Sequence, residues 1–472
     1  MSKRITIEPV SRIEGHAKIT IQLNDSGQVE NAELHVTQVR GFEKLTEGRP
    51  YYEMPGITAR ICGICPISHL LASAKACDAI MAVRIPPPAR KLRELIHCAQ
   101  FVQSHALSFF YLSSPDLILG MDAYPATRNV LGIIASHPEL ARDGIELRKF
   151  GLQIIENLGQ ERIHSSWIVP GGVKNPMTKC TRDKILAELP KAKQIAEHTL
   201  QFFKSESEAF KDDLAKFGCF PTMYLGMVNA AGDLQLYDGA LRFRGANDEI
   251  VSDQIAGDGY SDWISEATLR NSYLKAPFYK PSGIEGVYRV GPLARLNAAD
   301  RCGTPCADRE LADFRQRYGK PAHSAFLYHH ARLIEIIYAL ERIEALLADE
   351  HILDEHVRAN AGVNALEGIG MIEAPRGVLI HHYKVNNDGA ILWANLIVAT
   401  GHNNLAMGQS VKQVAAEYVH GDKLQEGMLN RVSAVVRAYD PCLSCSTHAD
   451  GSIAMHVQLL SPDGQLLDEL AN

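Results

Sequence analysis

The sequence predicts an α+β fold in which long helices pack as a bundle, with small β elements near the N- and C-terminal regions. Three observations support this prediction. Residues 5–37 alternate apolar and polar side chains, the middle of the chain repeats apolar residues at helical spacing, and short alternating segments return after residue 376. Of the 472 residues, 46% are hydrophobic and 22% charged, which is enough apolar material for a large core.

Strands are predicted at the N-terminus, over residues 5–10, 16–23 and 29–37. Asp25, Ser26 and Gly27 lie between the last two, and these residue types favour a tight turn. We therefore expect a turn to join the second and third strands.

Helices are predicted where apolar residues recur at intervals of three and four. Pro86, Pro87 and Pro88 end the first, and Pro190 is a candidate interruption of the fourth because proline removes a backbone donor. The predicted helices cover residues 62–83, 91–112, 143–159, 181–217, 324–353 and 428–438.

Shorter β elements are predicted for the remaining segments. Residues 218–320 are rich in Gly, Pro, Tyr and Asp, which favours irregular structure with short strands. Residues 377–385 and 390–398 flank Asn-Asn-Asp-Gly at 386–389, which predicts a hairpin. Residues 452–460 alternate like a strand, and Pro-Asp-Gly at 462–464 predicts a turn after it.

The charge pattern disfavours two classes of function. Lysine plus arginine number 48 and aspartate plus glutamate 55, which gives a net charge of -7 without a basic block, so nucleic-acid binding is not expected. No uncharged apolar run of about 18 residues predicts a membrane span. The N-terminal residues 1–8 lack an apolar signal core, so a cytoplasmic location is expected.

Two Cys-x-x-Cys pairs lie at opposite ends of the chain, a first clip at residues 62–65 and a second clip at residues 442–445. Pro66 suits the first position of a helix, which places Cys65 near the positive end of the helix dipole, where a thiolate is stabilised. His69 follows four residues later on the same helix face. Four thiolates from two remote clips are ligands that suit a soft metal.

Spacing alone leaves three interpretations of these cysteines open. They could form a four-cysteine zinc site that ties the chain ends together, a thiol-redox pair, or another soft-metal centre. The histidines at 69 and 448, one after each clip, and the position of the second clip near the C-terminus favour the third.

Five ordered motifs carry a resemblance to a known family. The chain resembles the large subunit of nickel–iron hydrogenases, and looks most like the bidirectional, NAD-coupled cytoplasmic branch. The motifs are Arg-Ile-Glu-Gly-His at 12–16, Arg-Gly-Phe-Glu at 40–43 with Gly48 and Arg49, the first clip with His69, Glu-Ala-Pro-Arg-Gly at 373–377, and Asp-Pro-Cys-x-x-Cys-x-x-His at 440–448.

The resemblance implies a dinuclear metal centre held by the two clips. Cys62 and Cys442 would be terminal nickel ligands, and Cys65 and Cys445 would bridge nickel to an iron that carries carbon monoxide and cyanide. Hydrogen (H2) would be split there into protons and electrons.

Further site residues follow from the same resemblance. Glu14 matches the proton-transfer glutamate, Arg376 matches the arginine that reaches over the metals, and Pro375 and Thr400 match residues that line the same pocket. By residue type alone, Glu14 could instead be an exposed or paired carboxylate, and Arg376 could form a surface salt bridge.

A second ion is implied near the C-terminal motif. Glu43, His448 and the backbone carbonyl of Leu396 would hold magnesium or a similar hard cation. Three more residues are expected to support the centre: His69 by a hydrogen bond to a bridging thiolate, and Asp116 and His105 from the surrounding layer. Helix packing with a polar tip is the alternative for Asp116 and His105.

The resemblance also implies processing of the C-terminus and several partners. A maturation endopeptidase would cut between His448 and Ala449 after nickel-insertion proteins have acted, so residues 1–448 are interpreted as a single intertwined domain and 449–472 as a removed extension. No Gly-x-Gly-x-x-Gly loop and no iron–sulfur cysteine spacing occur in the sequence. Electrons would therefore pass to an iron–sulfur small subunit, then to diaphorase subunits that bind flavin and NAD.

Two alternative functions remain open from the sequence. The same centre could serve a deazaflavin- or NADP-coupled enzyme or a hydrogen sensor, which changes only the electron acceptor. The other is a structural zinc protein or a scaffold descended from this fold.

Overall fold

A computed structural model shows the predicted α+β architecture. It describes residues 3–420 and 424–448, together with the backbone of two strands at 456–460 and 466–471. Ala449, the predicted strand residues 452–455 and the predicted turn at 462–464 lie outside the described residues. None of the helices in the described part of the chain is long and apolar enough to cross a membrane.

Sixteen α-helices are present in the described residues. They are α1 (Phe42–Leu45), α2 (Met54–Thr58), α3 (Pro66–Met81), α4 (Pro87–Ala106), α5 (Ser114–Ile118), α6 (Val130–Ser136), α7 (Pro138–Gly159), α8 (Lys179–Glu206), α9 (Lys211–Leu214), α10 (Pro292–Ala298), α11 (Pro305–Tyr318), α12 (Tyr328–Ala348), α13 (Ala399–His402), α14 (Asn404–Tyr418), α15 (Glu426–Tyr439) and α16 (Leu443–Ser446). A π-helical segment, Leu107–Ser113, continues α4.

Sixteen strands accompany these helices in the described residues. They are β1 (Lys3–Ile7), β2 (Ala17–Leu23), β3 (Val29–Val36), β4 (Ile168–Val169), β5 (Gly172–Val173), β6 (Met223–Val228), β7 (Ala240–Arg244), β8 (Ile250–Ile255), β9 (Ile264–Leu269), β10 (Ser272–Tyr279), β11 (Tyr288–Arg289), β12 (Glu367–Ala374), β13 (Gly377–Val385), β14 (Ile391–Ile397), β15 (His456–Leu460) and β16 (Leu466–Ala471). The larger sheets have the strand orders β1-β2-β3, β11-β6-β7-β8 and β12-β13-β14.

The N-terminal strands form one antiparallel sheet, as the alternating pattern predicted. Ile5 pairs with Ile21 and Ile19 pairs with Leu34, so the apolar side chains fall on one face. Ile19, Ile21 and Leu34 are buried there. Strand β1 ends at Ile7, three residues before the predicted bound, and the cis peptide bond between Glu8 and Pro9 follows it.

The middle of the chain differs most from the predictions. Helix α8 continues through Pro190 without interruption, although proline leaves one backbone carbonyl in the preceding turn without its donor. The segment 218–320 contains a regular four-stranded sheet and the helices α10 and α11, both of which begin with proline. The sequence analysis also missed β12 and α14. Residues 370–374 of β12 are all buried, so the strand shows no alternation, whereas α14 has buried residues at helical spacing that the analysis overlooked.

Close packing of β12 on α3 links two of the sequence motifs. A Cβ atom on Gly370 would lie 1.9 Å from the carbonyl oxygen of Ala72, and one on Gly368 would lie 2.2 Å from that of Ala76. Only glycine therefore lets the strand approach the helix backbone this closely. Because Cys65 precedes α3 and β12 ends at Ala374, this contact brings the first clip close to the 373–377 motif.

Candidate metal centre

The four clip cysteines come together in the interior. Their sulfur atoms all lie within 4.8 Å of one another and all four residues are buried. Cys62 Sγ and Cys442 Sγ are 3.3 Å apart. Cys65 is the N-cap residue of α3 and Cys442 is the N-cap residue of α16, so each clip opens a helix. The expected convergence of two remote clips is present in the structure.

The second clip is held in place by backbone contacts with the N-terminal motif. Glu14 and Cys442 form a parallel β bridge, and the amide of Leu443 donates to the carbonyl of Glu14 over 3.1 Å. Gly15 makes this approach possible, because it has φ +91° and an added Cβ would lie 2.8 Å from Leu443 Cβ. Thr400 completes the support, since its Oγ1 accepts a hydrogen bond from the amide of Cys442 over 2.9 Å.

The surroundings of Cys62 favour a thiolate. The backbone amides of Ile64 and Cys65 each donate to Cys62 Sγ over 3.2 Å. Hydrogen bonds from the other clip thiols, Cys442 first, hold the pKa of Cys62 well below its usual range. Burial raises the pKa of Cys442 and of Cys445. The clip sulfurs can therefore be negatively charged at the same time only if a cation lies among them.

A small cavity adjoins the sulfur cluster. Cys65, Cys442, Pro375, Arg376 and Thr400 line it, and His69 together with apolar side chains closes the remaining wall. The structure thus places both predicted pocket residues, Pro375 and Thr400, at the same cavity as Arg376 and two of the cysteines. One wall of the cavity is polar and positively charged, and the opposite wall is apolar. This combination suits small ligands that accept hydrogen bonds.

Arg376 lies at the tip of a tight turn. Ala374 pairs with Gly377, so Pro375 and Arg376 form a two-residue loop between β12 and β13. The guanidinium donates from Nε to the Asp440 carbonyl over 2.5 Å and from Nη2 to Asp440 Oδ1 over 3.0 Å. Burial opposes its charge, but Asp440 and the sulfurs raise the pKa of Arg376 well above its usual value. Its ion pair is therefore buried at the cavity, and the alternative of a surface salt bridge is excluded.

Glu14 reaches the second clip with its side chain as well as its backbone. The amide of Ser444 donates to Glu14 Oε2 over 3.2 Å, and the Ser444 hydroxyl donates to Oε1. The residue is half-buried. Its carboxylate is thus held beside Ser444 at the second clip and is only partly covered by the protein.

Glu43 and His448 also come together. Glu43 Oε1 lies 3.0 Å from His448 Nδ1, and Arg40 Nη1 donates to Glu43 Oε2 over 3.0 Å. Burial raises the pKa of Glu43, but Arg40 and His448 outweigh it and lower the value to about 2. Helix α1, which carries Glu43, contacts β14, which carries Leu396. Among the described residues, the buried hydroxyls of Ser446 and Thr447 have no hydrogen-bond partner, which is typical of a site that binds an ion or water.

Two of the remaining predicted residues, His69 and His105, lie at different places around the sulfur cluster. His69 lines the cavity, and its Nδ1 lies 3.1 Å from His381 Nε2, while Nε2 has no partner among the described residues. His105 Nε2 lies 2.8 Å from Glu335 Oε2. Burial lowers the pKa of His69 and of His105 to about 4, so both are neutral at pH 7.

Asp116 binds arginines from three parts of the chain. Its Oδ1 lies 2.5 Å from Arg12 Nη2 and 3.4 Å from Arg128 Nε, and its Oδ2 accepts from Arg437 Nε over 2.9 Å. Arg437 Nη1 also donates to the carbonyl of Ser11 over 3.1 Å. Asp116 therefore anchors the loop that carries Glu14, and it acts on that residue through the arginines.

The sequence analysis missed several residues of this site. Arg40, Asp440 and Ser444 stand inside the quoted motifs, and Arg40 Nε donates to the Cys445 carbonyl over 2.5 Å. Their positions within the motifs could have identified them as candidate site residues. Arg295 and Glu335 are fully buried charges in α10 and α12, and nothing in one sequence marks them as such.

The donor set fits a thiolate-bound metal. Metal–sulfur bonds of about 2.3 Å place two sulfurs of one ion at most about 4.6 Å apart. The 4.8 Å limit on the four sulfurs is close to that requirement. A closed four-cysteine zinc site satisfies the same distances, but it has no need of an arginine-lined cavity beside it.

Comparisons with known proteins agree with this geometry. The nickel-dependent hydrogenase family matches residues 40–137 and 242–448, and a HoxL-like family matches residues 4–39. Together the matched segments cover more than half of the chain.

Individual relatives match over most of their length. The vhu-type F420-non-reducing hydrogenase chain of Methanocaldococcus jannaschii is 42% identical over 413 residues, which cover 87% of this chain and 98% of that protein. The NAD-reducing hydrogenase HoxS subunit beta of Cupriavidus necator is 39% identical over 489 aligned positions and the whole of both chains.

A solved structure extends the likeness to three dimensions. An NAD+-reducing NiFe-hydrogenase in the H2-reduced state superposes with a TM-score of 0.92 and 44% identity, over 94% of this chain and 99% of that one. The family implies nickel and iron as the metals, which is consistent with the four buried cysteines. The chain belongs to the nickel-dependent hydrogenase family and is a large, metal-binding subunit of that family.

Proposed function

We propose that this chain is the catalytic subunit of a cytoplasmic hydrogenase that reversibly converts H2 into protons and electrons, with NAD+ as the final electron acceptor. One observation carries the proposal: four buried cysteine sulfurs within 4.8 Å of one another adjoin a cavity that Arg376 lines. A zinc site that serves only structure would leave that cavity and its buried cation without a purpose.

The four cysteines would hold nickel and iron, with Cys62 and Cys442 on nickel and Cys65 and Cys445 shared. Arg376 and Thr400, which line the adjoining cavity beside an apolar wall, would offer polar contacts to the carbon monoxide and cyanide ligands of the iron. When bound, this centre supplies the polarisation that splits H2 heterolytically. Arg376 provides a fixed positive charge, so it needs no reorganisation during the reaction.

Protons would leave through Glu14. Its carboxylate is held by the amide and the hydroxyl of Ser444, one residue before Cys445, so it is close to the second clip whatever the state of the centre. A positioned carboxylate that is half-buried can take a proton on the inner side and release it on the outer side.

Magnesium, or a similar hard cation, would bind Glu43, His448 and the Leu396 carbonyl. The pKa of Glu43 near 2 means that its carboxylate is ionised at pH 7 and available as a ligand. We further propose that a maturation endopeptidase cuts between His448 and Ala449 and removes residues 449–472. Residues 1–448 would then form the working domain.

Electrons would pass to an iron–sulfur small subunit, then on to diaphorase subunits. The NAD acceptor is supported by the C. necator relative and by the solved NAD+-reducing structure. The M. jannaschii relative is at least as similar, and its name says only that it does not reduce F420, so that similarity does not favour any one acceptor. The proposed coupling therefore needs a direct test.

Infrared spectroscopy of the complex, co-expressed with its maturation proteins, tests the chemistry. Bands in the region of metal-bound carbon monoxide and cyanide, which shift under H2, are expected. Absence of these bands in a complex that contains nickel and iron would contradict the proposal. Hydrogen-dependent reduction of NAD+, NADP+ or a deazaflavin by the same complex then identifies the acceptor.

A further inference from the structure

A buried arginine lies directly behind the turn that carries Arg376. Arg295, in α10, is fully buried and donates to Glu373 Oε2 over 2.8 Å, to the Ala374 carbonyl over 2.9 Å and to the Pro375 carbonyl over 2.8 Å. One guanidinium thus binds three consecutive residues that precede Arg376. No part of the function proposed above uses this contact.

The guanidinium of Arg295 is itself anchored from the opposite side. Glu335, in α12, accepts from Nε over 2.6 Å and from Nη2 over 2.7 Å, which is a two-pronged ion pair with no exposed atoms on either side chain. Glu335 Oε2 also lies 2.8 Å from His105 Nε2 in α4. The turn is therefore connected through Arg295 to the helix bundle.

The backbone on the other side of the turn is also closely packed. The peptide that follows Arg376 packs on Gly291, where an added Cβ would lie 2.9 Å from the Arg376 carbonyl oxygen. The Arg376 backbone is held between this contact and the carbonyls bound by Arg295. A change at Arg295 should therefore shift the Arg376 side chain relative to the four sulfurs.

We propose that Arg295 is a positioning residue that sets the location of the Arg376 guanidinium over the cysteine cluster. The inference rests on the proposed function, because it assigns Arg295 a role in the same site. Arg295 has no contact with the cavity and acts through the turn. Lysine cannot replace it, because one ammonium group cannot match a planar fork that binds two carboxylates and two carbonyls.

The chain offers a matched control for this proposal. Arg93 is equally buried, and it donates to the Asp78 carboxylate and to the carbonyls of Gly172 and Val169. Arg93→Lys therefore removes the same kind of buried fork outside the cavity lining. Both Arg295→Lys and Arg93→Lys should lower the thermal midpoint, so stability alone does not distinguish a positioning role from a structural one.

The deciding measurements use the intact, matured complex. Arg295→Lys should shift the cyanide infrared bands and lower turnover by roughly 100-fold, the cost of about 1 Å of misplacement, whereas Arg93→Lys should change neither. Combining Arg295→Lys with Arg376→Lys should lower turnover no further than Arg376→Lys alone. Unshifted bands in Arg295→Lys, or fully additive losses in the double variant, would overturn the inference.

Crystal structures of the two single variants provide a readout that does not depend on the metals. A displaced Arg376 side chain in Arg295→Lys, but not in Arg93→Lys, supports the inference, and an unmoved Arg376 refutes it. Missing bands in the unaltered complex would instead count against the proposed function. If Arg295→Lys does not assemble, Glu335→Gln weakens the same ion pair with a smaller change in shape, and the same outcomes apply.

Discussion

The backbone amide of Leu443 donates to the carbonyl oxygen of Glu14 over 3.1 Å, so the first and last motifs of the chain form one structural unit. The Glu14 side chain adds two contacts to Ser444 in the same unit. A candidate proton carrier is thereby fixed at the second clip by its own backbone. Its side chain can be altered without removing this backbone link.

Glu14→Gln tests the proton route. The amide keeps the size of the side chain but cannot exchange a proton, so turnover should fall about 100- to 10,000-fold while nickel and iron contents stay unchanged. Turnover and metal analysis of the purified complex measure both effects. Glu8→Gln, a substitution at an exposed glutamate in the same N-terminal region, serves as the control and should have no effect. Full turnover in Glu14→Gln would exclude this route.

Asp116→Asn tests the anchor of the Glu14 loop. Three arginines face this one buried carboxylate, and removing its charge leaves Arg12 and Arg437 without it, while Arg128 keeps its pairing with Glu426. We expect a loss of about 3–5 kcal/mol in the free energy of unfolding. Asp122→Asn is the comparison, because Asp122 pairs with Arg431 from an exposed position and should cost at most about 1 kcal/mol. Denaturant unfolding measures the free energy of unfolding of both variants. Equal losses in the two would show that Asp116 stabilises the fold no more than an exposed carboxylate does.

Gly370→Ala tests the contact between β12 and α3. The new Cβ would lie 1.9 Å from the Ala72 carbonyl, so the strand and the helix must separate. The free energy of unfolding should fall by about 1–3 kcal/mol or more, and nickel occupancy should fall with it because Cys65 and Arg376 are moved apart. Gly362→Ala, where nothing lies within 4 Å, is the matched control. If Gly370→Ala is destabilised but binds nickel normally, the contact between β12 and α3 is not needed for metal binding.

Glu373→Gln tests the pH dependence of stability. Burial raises the pKa of Glu373 from 4.5 to about 7; the negative charge of Glu335 adds to this rise, and Arg295 and the Met227 amide oppose it. The folded state thus binds a proton that the unfolded state releases above pH 4.5. The contribution of this group to the free energy of unfolding is fully present below about pH 4.5. It is lost as the pH rises through about 7, by about 3 kcal/mol in all.

Urea unfolding at a series of pH values measures this contribution. Glutamine cannot ionise, so the decrease in unfolding free energy between pH 4.5 and 7 should be smaller in Glu373→Gln than in the unaltered protein. Identical pH profiles for the two proteins would show that the pKa of Glu373 is the same in the folded and unfolded states.

The predictions from sequence succeeded where a local pattern was sufficient. Alternation of side chains identified β1 to β3, and helical spacing identified α3, α4, α7, α12 and α15 to within a few residues at most ends. In β12, residues 370–374 are all buried, so the alternation of a strand disappears, whereas the buried residues of α14 recur at helical spacing and the sequence analysis overlooked that pattern. Helix α8 continues past Pro190 because tertiary packing outweighs the loss of one hydrogen bond.

Residue type and short spacing fix the donor atoms, so the side chains that could bind metal and the family motifs around them can be identified without a structure. Folding alone links Glu14 to the second clip, pairs Arg376 with Asp440, and brings Arg295 against the turn that carries Arg376. Such contacts join residues that are distant in the chain, and the packing of the whole core sets their distances. A single sequence records the participants, but the geometry follows from close packing in the folded chain.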